Sequence, residues 1–381
     1  MKEQFLSIYG SKNGIPDVFF APGRVNLIGE HTDYNGGYVF PCALSFGTYL
    51  LIRKNNENII RFATTNFAYT SEVPFNKLSE KQGNEWVNYP LGVIDQFNKR
   101  GFSMQGFDML FSGNIPNGAG LSSSASIEVV TAVALDNLLE TGINRVELVK
   151  MSRAAENEFV GMNCGIMDQF IIGMGKQESA LALNCRTLDS QYVPLHLGDY
   201  AIVVSNTNKR RELADSKYNE RVKECAVALE CLRSAKPMID LSAMNMDEFN
   251  EYSHLITDKT IRKRAHHVIS ENNRVILAID ALISNDLVAF GQLMNQSHVS
   301  LKNDYEVTGF ELDTIVDEAW QAEGVLGARM TGAGFGGCSV NIVKRDKIEQ
   351  FKSRVGAKYS EKTGLVADFY VATIGNGAGK L

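Results

Sequence analysis

The feature that most constrains the fold is a glycine- and serine-rich stretch, residues 116–126, here called the Gly/Ser segment. The apolar run before it, Phe107–Ser112, is stopped by Gly113, which is typical of a buried strand that enters a turn. From Ser122 to Leu139 apolar residues recur three to four positions apart, a spacing that predicts one face of a helix. We therefore expect a strand, a tight loop and a long helix in succession.

The length of the chain predicts more than one domain. A chain of 381 residues exceeds what a single hydrophobic core usually supports, so two units are expected. The strand-like segment Tyr192–Val204 and the amphipathic helical patterns Ala214–Leu232 and Arg262–Ile283 are typical of a second α+β unit. We divide the chain into domains 1–190 and 191–381 and expect the active site in the cleft between them.

Charge and hydropathy exclude several classes of partner. With 44 acidic and 38 basic residues, the chain lacks the basic surface that would favour nucleic acid or an anionic membrane. No run approaches the ~18 apolar residues of a spanning helix, and the N-terminus lacks a basic-then-apolar leader pattern. The six cysteines are scattered without a C-x-x-C pair. We expect a cytoplasmic, monomeric protein with free thiols and small-molecule partners.

The Gly/Ser segment can bind an anion. Gly118 and Gly120 would let backbone N–H groups approach an oxyanion, and the first turn of the following helix adds further free N–H groups. Its serines could cap the helix, bind phosphate or ligate magnesium. Taken alone, the segment is equally compatible with an ordinary serine-capped helix after a turn. The P-loop pattern G-x-x-x-x-G-K-[ST] is absent.

A C-terminal glycine cluster, residues 327–337, formally contains G-x-G-x-x-G at Gly332, Gly334 and Gly337. A dinucleotide-binding fingerprint of this form must follow a first strand and open a helix. Here the chain continues as a strand-like run, Cys338–Val343. We therefore reject an oxidoreductase.

The densest group of polar residues, the N-terminal polar cluster, spans Ala21–Gly37 and has the sequence APGRVNLIGEHTDYNGG. Arg24 could neutralise phosphate, while Glu30, His31 and Asp33 could hydrogen-bond to adjacent hydroxyls of a sugar. Each residue alone has a simpler explanation, such as a turn shaped by Asp33 or a buried histidine. The indication of a ligand site comes from the cluster as a whole.

In this order along the chain, the three glycine-containing clusters resemble the three motifs of the GHMP kinase superfamily, and residues 21–37 resemble the signature of its galactokinase family. The resemblance extends through Glu156–Phe170 and Ser205–Glu220 and covers most of the chain. It implies a two-domain α+β fold, with an N-terminal ribosomal protein S5 domain 2-like domain and a C-terminal ferredoxin-like domain. It also implies transfer of the γ-phosphoryl group of ATP to the C1 hydroxyl of α-D-galactose, the first committed step of galactose metabolism, with Mg²⁺ as cofactor.

The resemblance assigns the catalytic roles to Asp168 and Arg24. Asp168, which alone could be a helix cap, is implied to be the base that accepts the proton of the sugar hydroxyl. A guanidinium beside it would keep this carboxylate ionised and would stabilise charge on the transferring phosphoryl group.

Magnesium and ATP are expected around the Gly/Ser segment. One hydroxyl and one carboxylate, from Ser124 and Glu156, would suffice for magnesium beside the ATP oxygens. Without the resemblance, Glu156 on the helical pattern Arg145–Val160 would more simply be an exposed partner of Arg153. The residues implied to bind ATP are Thr64, Gly118, Ala119, Gly120, Leu121, Ser122, Ser123 and Ser124.

The residues implied to bind the sugar are Glu30, His31, Thr32, Asp33, Gly165, Asp168 and Tyr218. Tyr218 is otherwise an aromatic residue of an amphipathic helix, where packing is the usual role. Buried hydrogen bonds separate epimers because the wrong epimer leaves a polar group unpaired, at about 1–3 kcal/mol. Two alternatives stay open: a related kinase acting on N-acetylgalactosamine or arabinose, and a non-catalytic sensor that binds galactose and ATP.

Overall fold

The computed structural model describes residues 1–83, 85–116, 120–209 and 214–381. Its strands are β1 (Asp17–Asn26), β2 (Tyr38–Val39), β3 (Pro41–Lys54), β4 (Ile59–Thr64), β5 (Thr70–Pro74), β6 (Phe107–Gly113), β7 (Ser179–Asn184), β8 (Ser190–Pro194), β9 (Tyr200–Asn206), β10 (Val325–Thr331), β11 (Cys338–Lys344), β12 (Asp368–Ala372) and β13 (Gly379–Lys380). Its α-helices are α1 (Lys2–Tyr9), α2 (Asn88–Lys99), α3 (Ser123–Leu139), α4 (Arg145–Ala154), α5 (Met167–Met174), α6 (Ala214–Arg233), α7 (Met246–Tyr252), α8 (Lys259–Ile283), α9 (Leu287–Ser300), α10 (Phe310–Trp320) and α11 (Ile348–Thr363). Among the described helices, none has the length and apolar character needed to cross a lipid bilayer.

Within the described residues the strands form three sheets. The largest has the order β13-β1-β3-β6-β4-β5 and is antiparallel except for the β4–β6 pair. The other two sheets, β10-β11-β9-β12 and β2-β7-β8, are antiparallel throughout. Helices α3 and α5 pack on the first sheet, whereas α9 and α10 pack on β10. This arrangement confirms the predicted α+β class, while the division at residue 190 stays a prediction.

The predicted strand, loop and helix around the Gly/Ser segment are present as β6 and α3. Strand β6 begins with five buried residues, and α3 is buried on most of its surface. A helix that is apolar nearly all round belongs in a core. Glu128 is a fully buried carboxylate on this helix, so it must find partners inside the protein.

Two predicted elements have different boundaries. The helical pattern Arg145–Val160 is α-helical only to Ala154 and continues as a π-helix over Ala155–Val160, a conformation that is frequent at functional sites. The strand-like segment Tyr192–Val204 is two strands, β8 and β9, separated by a tight turn. Gly198 lies in this turn with φ 52°, which glycine adopts without steric cost.

One hydrophobic cluster joins the end of β1 to the C-terminal half of the chain. Leu27 and Ile28 pack in it with Val275 of α8, Phe290 of α9 and Val340 of β11. The polar residues that follow β1 are therefore held where N-terminal and C-terminal elements meet.

All six cysteines are free, as predicted.

Candidate active site

A cavity of about 250 Å³ opens beside the end of β1. Its walls come from both sides of the predicted boundary at residue 190, so the expected location between the two halves agrees with the geometry. The residues that line it are Arg24, Glu30, His31, Asp33, Glu156, Met162, Asn163, Cys164, Gly165, Met167, Asp168, Tyr218, Asn219, Gly332 and Ala333.

Arg24 and Asp168 form a forked ion pair in this cavity. Nε of Arg24 donates to Oδ1 of Asp168 and Nη2 donates to Oδ2, both at 2.8 Å, the geometry of a bidentate pair. The Arg24 side chain is 5% exposed and that of Asp168 29%, so the carboxylate opens to the cavity. Burial alone would lower the pKa of Arg24, but the charges of Asp168 and Glu30 raise it, which keeps the guanidinium ionised.

The backbone around both residues explains their placement. Strand β1 has a register shift between Pro22 and Arg24, and such a bulge changes the direction of a side chain. Asp168 is the second residue of α5, whose N-cap is Ile166, so Asp168 is not the cap. The free N–H groups of a first helical turn favour a negative charge there.

The end of the Gly/Ser segment lies against the ion pair. Arg24 Nη1 donates to the carbonyl of Gly120 at 2.7 Å, and the hydroxyl of Ser122 is hydrogen-bonded to Oδ2 of Asp168. Gly332 of the C-terminal glycine cluster approaches the same place, because a Cβ built on it would lie 3.3 Å from the carbonyl oxygen of Gly120. Parts of all three clusters therefore meet beside the cavity.

The residues predicted to bind ATP fall in three places. Residues 118–119 lie outside the described residues, while residues 120–124 lead into and begin α3 beside the ion pair. Thr64, at the end of β4, does not line the cavity. It accepts a hydrogen bond from the N–H of Asn66, whose side chain binds Gly113 at the end of β6.

Asp33 and Gly165 are in close contact across the cavity wall. A Cβ on Gly165 would lie 1.6 Å from Oδ2 of Asp33, so only glycine leaves room for this carboxylate. Burial and then the negative charge of Asp168 raise the pKa of Asp33 to about 7. The carboxyl groups of Asp33 and Asp168 thus face the same cavity in different environments.

An aromatic wall closes the cavity next to His31. The ring centroid of His31 lies 4.8 Å from that of Tyr305 and 5.7 Å from that of Tyr218. Its Nδ1 is 2.9 Å from the hydroxyl of Tyr34, which is 2.7 Å from the hydroxyl of Tyr305. Burial and the neighbouring His267 lower the pKa of His31 to about 3, so the ring is neutral at physiological pH.

Two further residues of the N-terminal polar cluster have different surroundings. Glu30 lines the cavity and is held by the backbone N–H of Gly332, which donates to its Oε1 at 2.8 Å. Thr32 is fully buried and does not line the cavity; its hydroxyl lies 2.9 Å from the carbonyl of Gly29 and 2.7 Å from that of Tyr38. Thr32 therefore shapes the loop that presents its neighbours.

The predicted magnesium ligands lie in a buried acidic group. Burial and the charge of Asp168 raise the pKa of Glu156, while the nearby Ser124 hydroxyl acts in the opposite direction. Gln169 Nε2 donates to Glu156 Oε2 at 2.5 Å and to Glu128 Oε2 at 3.0 Å. Oε1 of Glu128 and Oε1 of Gln169 have no partner among the described residues. These hard oxygens fit a divalent cation that also takes oxygens from water and substrate.

Two further observations concern metal ligands and the surroundings of Glu156. Among the residues that the structure describes, no group of three or more His, Cys, Asp or Glu side chains is arranged to hold a metal ion. The alternative of an exposed Glu156–Arg153 pair is wrong, because Glu156 is buried and Nε of Arg153 donates to the carbonyl of Cys164 at 3.1 Å.

Sequence reasoning missed several buried polar residues of the site. Glu128 and Gln169 bind each other behind Glu156, and Arg329 contacts Glu30. Glu128 had a detectable signal, since a carboxylate within an otherwise apolar helical pattern must be paired or neutral. Arg329 had none, because its partners are remote in the chain.

Known proteins are similar to this chain over nearly its whole length. Family models match residues 3–54 (Galactokinase galactose-binding signature), 88–176 (GHMP kinases N terminal domain) and 278–361 (GHMP kinases C terminal). The galactokinase of Fusobacterium nucleatum is 52% identical over 97% of this chain and 96% of its own length, and that of Clostridium acetobutylicum is 51% identical over 100% and 98%. The crystal structure of Lactococcus lactis galactokinase complexed with galactose has a TM-score of 0.97 at 45% identity and covers 100% of this chain and 98% of that chain.

The fold and the meeting of the three glycine-containing clusters at one cavity define a GHMP kinase, an ATP-dependent small-molecule kinase. Within that class the chain belongs to the galactokinase family. The family and the two-domain fold class inferred from the motifs are thereby confirmed.

Proposed function

We propose that this protein is a galactokinase that transfers the γ-phosphoryl group of ATP to the C1 hydroxyl of α-D-galactose, giving α-D-galactose 1-phosphate and ADP. The observation that carries the proposal is the convergence of the Arg24–Asp168 pair, Glu30 and Asp33 on one cavity beside the N-terminus of α3. The chain is 52% and 51% identical to two curated galactokinases over nearly its full length, which supports the choice of sugar.

The proposed mechanism depends on positioning and charge. The Asp168 carboxylate accepts the proton of the C1 hydroxyl, the sugar oxygen bonds to the γ-phosphorus, and the bond from that phosphorus to the bridging oxygen of ADP breaks. Arg24 orients both oxygens of Asp168 and places positive charge where the transferring group becomes more negative. The N–H groups of the first turn of α3 are available to phosphate oxygens.

Magnesium would be held by Ser124 and Glu156, where it would supply positive charge to the ATP phosphates. Gln169 orients the Glu156 carboxylate through its amide donor at 2.5 Å. For the sugar, Glu30 and Asp33 would accept hydrogen bonds from hydroxyl groups, while His31 and Tyr218 form the wall against the ring.

We further propose a cytoplasmic, monomeric enzyme with domains 1–190 and 191–381. Free cysteines support a reducing compartment. The sensor alternative needs no base, yet Asp168 is held by two donors of Arg24 and opens to the cavity, as a base requires. This geometry favours the enzyme.

Purified protein incubated with ATP, Mg²⁺ and a panel of sugars should consume ATP with galactose, and proton NMR should identify α-D-galactose 1-phosphate. Removal of the metal with EDTA should stop turnover, and added Mg²⁺ should restore it. Galactose binding without turnover would support the sensor instead. A higher kcat/KM for N-acetylgalactosamine or arabinose would retain the chemistry and overturn the substrate.

Galactose affinity should rise as the pH is raised from about 6 to about 8, because the Asp33 carboxyl group ionises in that range. An ionised carboxylate accepts hydrogen bonds from the sugar with both of its oxygens. The pKa of Asp33, about 7, reflects burial and the charges of Asp168 and Glu30, opposed in part by Arg153. Calorimetric titration with galactose at several pH values measures this. In Asp33→Asn the affinity should be lower and the pH dependence flat; an unchanged slope would assign the titration to another group.

A further inference from the structure

Side chains from the C-terminal half of the chain form hydrogen bonds with the segment that carries Glu30. Arg329 of β10 is fully buried, and its Nη1 lies 3.3 Å from Oε1 of Glu30 and 3.1 Å from the backbone carbonyl of Asn26. Nε2 of His267 is 3.2 Å from the carbonyl of Glu30. Neither Arg329 nor His267 is among the residues assigned above to sugar, ATP or magnesium.

Arg329 is itself fixed by a second buried layer. Its Nε donates to the hydroxyl of Ser297 at 3.2 Å, and that hydroxyl donates to Oε1 of Glu271 at 2.5 Å. The same carboxylate oxygen accepts the backbone N–H of Gly29 at 3.0 Å. Because Glu271 contacts both Gly29 and Ser297, it links the N-terminal polar cluster directly to the side chain that supports Arg329.

The charges in this layer are balanced. Burial alone would raise the pKa of Glu271, but the positive charges of Arg274 and Arg329 and the hydrogen bond from Ser297 help to lower it to about 2, so the carboxylate is ionised. Its Oε2 accepts a hydrogen bond from Nε of Arg274 at 2.7 Å. A buried guanidinium needs opposite charges and acceptors around it. Arg329 has them at Nη1 and Nε, through Glu30, Asn26 and Ser297, while its Nη2 has no hydrogen-bond partner among the described residues.

Both donors that hold the Glu30 side chain, Nη1 of Arg329 and the N–H of Gly332, act on Oε1. Among the described residues no donor binds Oε2, and this oxygen is not among the buried polar atoms that lack a partner. Since Glu30 lines the cavity, Oε2 is the oxygen that a ligand can reach.

We propose that Arg329 is a positioning residue for sugar specificity: it fixes Glu30 through Oε1 so that Oε2 accepts a hydrogen bond from one particular hydroxyl of the substrate. The inference rests on the proposed function, because it takes a sugar as the ligand. It makes Arg329 an indirect determinant of which sugar is accepted, acting through Glu30.

Arg329→Met should raise KM for galactose about 10- to 100-fold with little change in KM for ATP, since one charge-assisted hydrogen bond to the substrate loses its orientation. Arg329→Lys should recover only part of the loss, because a single ammonium nitrogen cannot replace the two nitrogens that contact Glu30 and Ser297. Arg53→Met is the matched control: Arg53 is also buried and paired with a buried carboxylate, but that partner, Asp108, does not line the cavity, whereas Glu30 does. It should lower the Tm and leave KM for galactose unchanged.

Deoxygalactoses that lack one hydroxyl each test the route through Glu30. In wild type, one of them should lose most in kcat/KM relative to galactose. Glu30→Gln and Arg329→Met should both reduce that loss at the same hydroxyl. In a Glu30→Gln background, Arg329→Met should change the loss in kcat/KM by less than about twofold further.

If Arg329→Met does not fold, Ser297→Ala replaces it, since it removes the acceptor of Nε and should shift the same deoxy-sugar ratio to a smaller extent. Equal increases in KM for galactose and ATP, or independent effects of Arg329→Met and Glu30→Gln, would overturn the inference and leave Arg329 as structural support. Failure of the wild-type protein to phosphorylate any sugar would instead overturn the proposed function, so the two failures are distinguishable.

Discussion

Asp168→Asn should lower kcat by about 10²- to 10⁴-fold while galactose binding remains measurable, because the amide retains an acceptor for Arg24 but cannot take a proton. The wild-type carboxylate is held by Nε and Nη2 of Arg24, each at 2.8 Å, and its remaining exposure faces the cavity. Steady-state kinetics give kcat, and calorimetric titration with galactose gives the affinity. The substitution also leaves the buried Arg24 without its opposite charge, so the Tm should fall.

Asp108→Asn separates the chemical effect from the loss of stability. Asp108 is 1% exposed and paired with the buried Arg53 at 3.0 Å, outside the cavity. This variant should lose at least as much Tm as Asp168→Asn and retain wild-type kcat. A kcat for Asp168→Asn within about threefold of wild type would exclude Asp168 as the base.

Gly165→Ala should lower kcat/KM for galactose by about 10²-fold or more, since a displacement of ~1 Å in a positioned group has effects of that size. The added Cβ would lie 1.6 Å from Oδ2 and 2.3 Å from Cγ of Asp33, so the carboxylate cannot keep its place. The loss should be mainly in galactose affinity, because the Gly/Ser segment is not touched. Calorimetric titrations with galactose and with ATP measure the two affinities separately.

Gly379→Ala is the matched control, because a Cβ there meets no atom within 4 Å. It should bind galactose as wild type does. Asp33→Ala should reproduce the loss of Gly165→Ala, and the double variant should be little worse than either single variant. Wild-type galactose affinity in Gly165→Ala would show that Asp33 does not contact the sugar.

Local elements and their chemistry were predictable from the sequence. β6, the Gly/Ser segment and α3 follow from apolar periodicity and glycine content over about thirty neighbouring residues. The N-terminal polar cluster identified Arg24, Glu30, His31 and Asp33, which all line the cavity. Short-range patterns succeeded because strand, turn and helix formation depend on neighbours in the chain. They failed at the turn near Gly198, where His196, Gly198 and Asp199 lie between two strands that were predicted as one.

The contacts that organise the site were decided only by the tertiary structure. Arg24 and Asp168 are 144 positions apart, and Glu30 and Arg329 are 299 apart, separations at which no local pattern predicts a partner. The raised pKa of Asp33 and the neutral ring of His31 likewise arise from burial and from charges supplied by other elements. The order of residues specifies which chemical groups this protein has and which local structures carry them. Folding determined which of those groups meet and how far each is removed from water, because pairing and desolvation depend on distances in space.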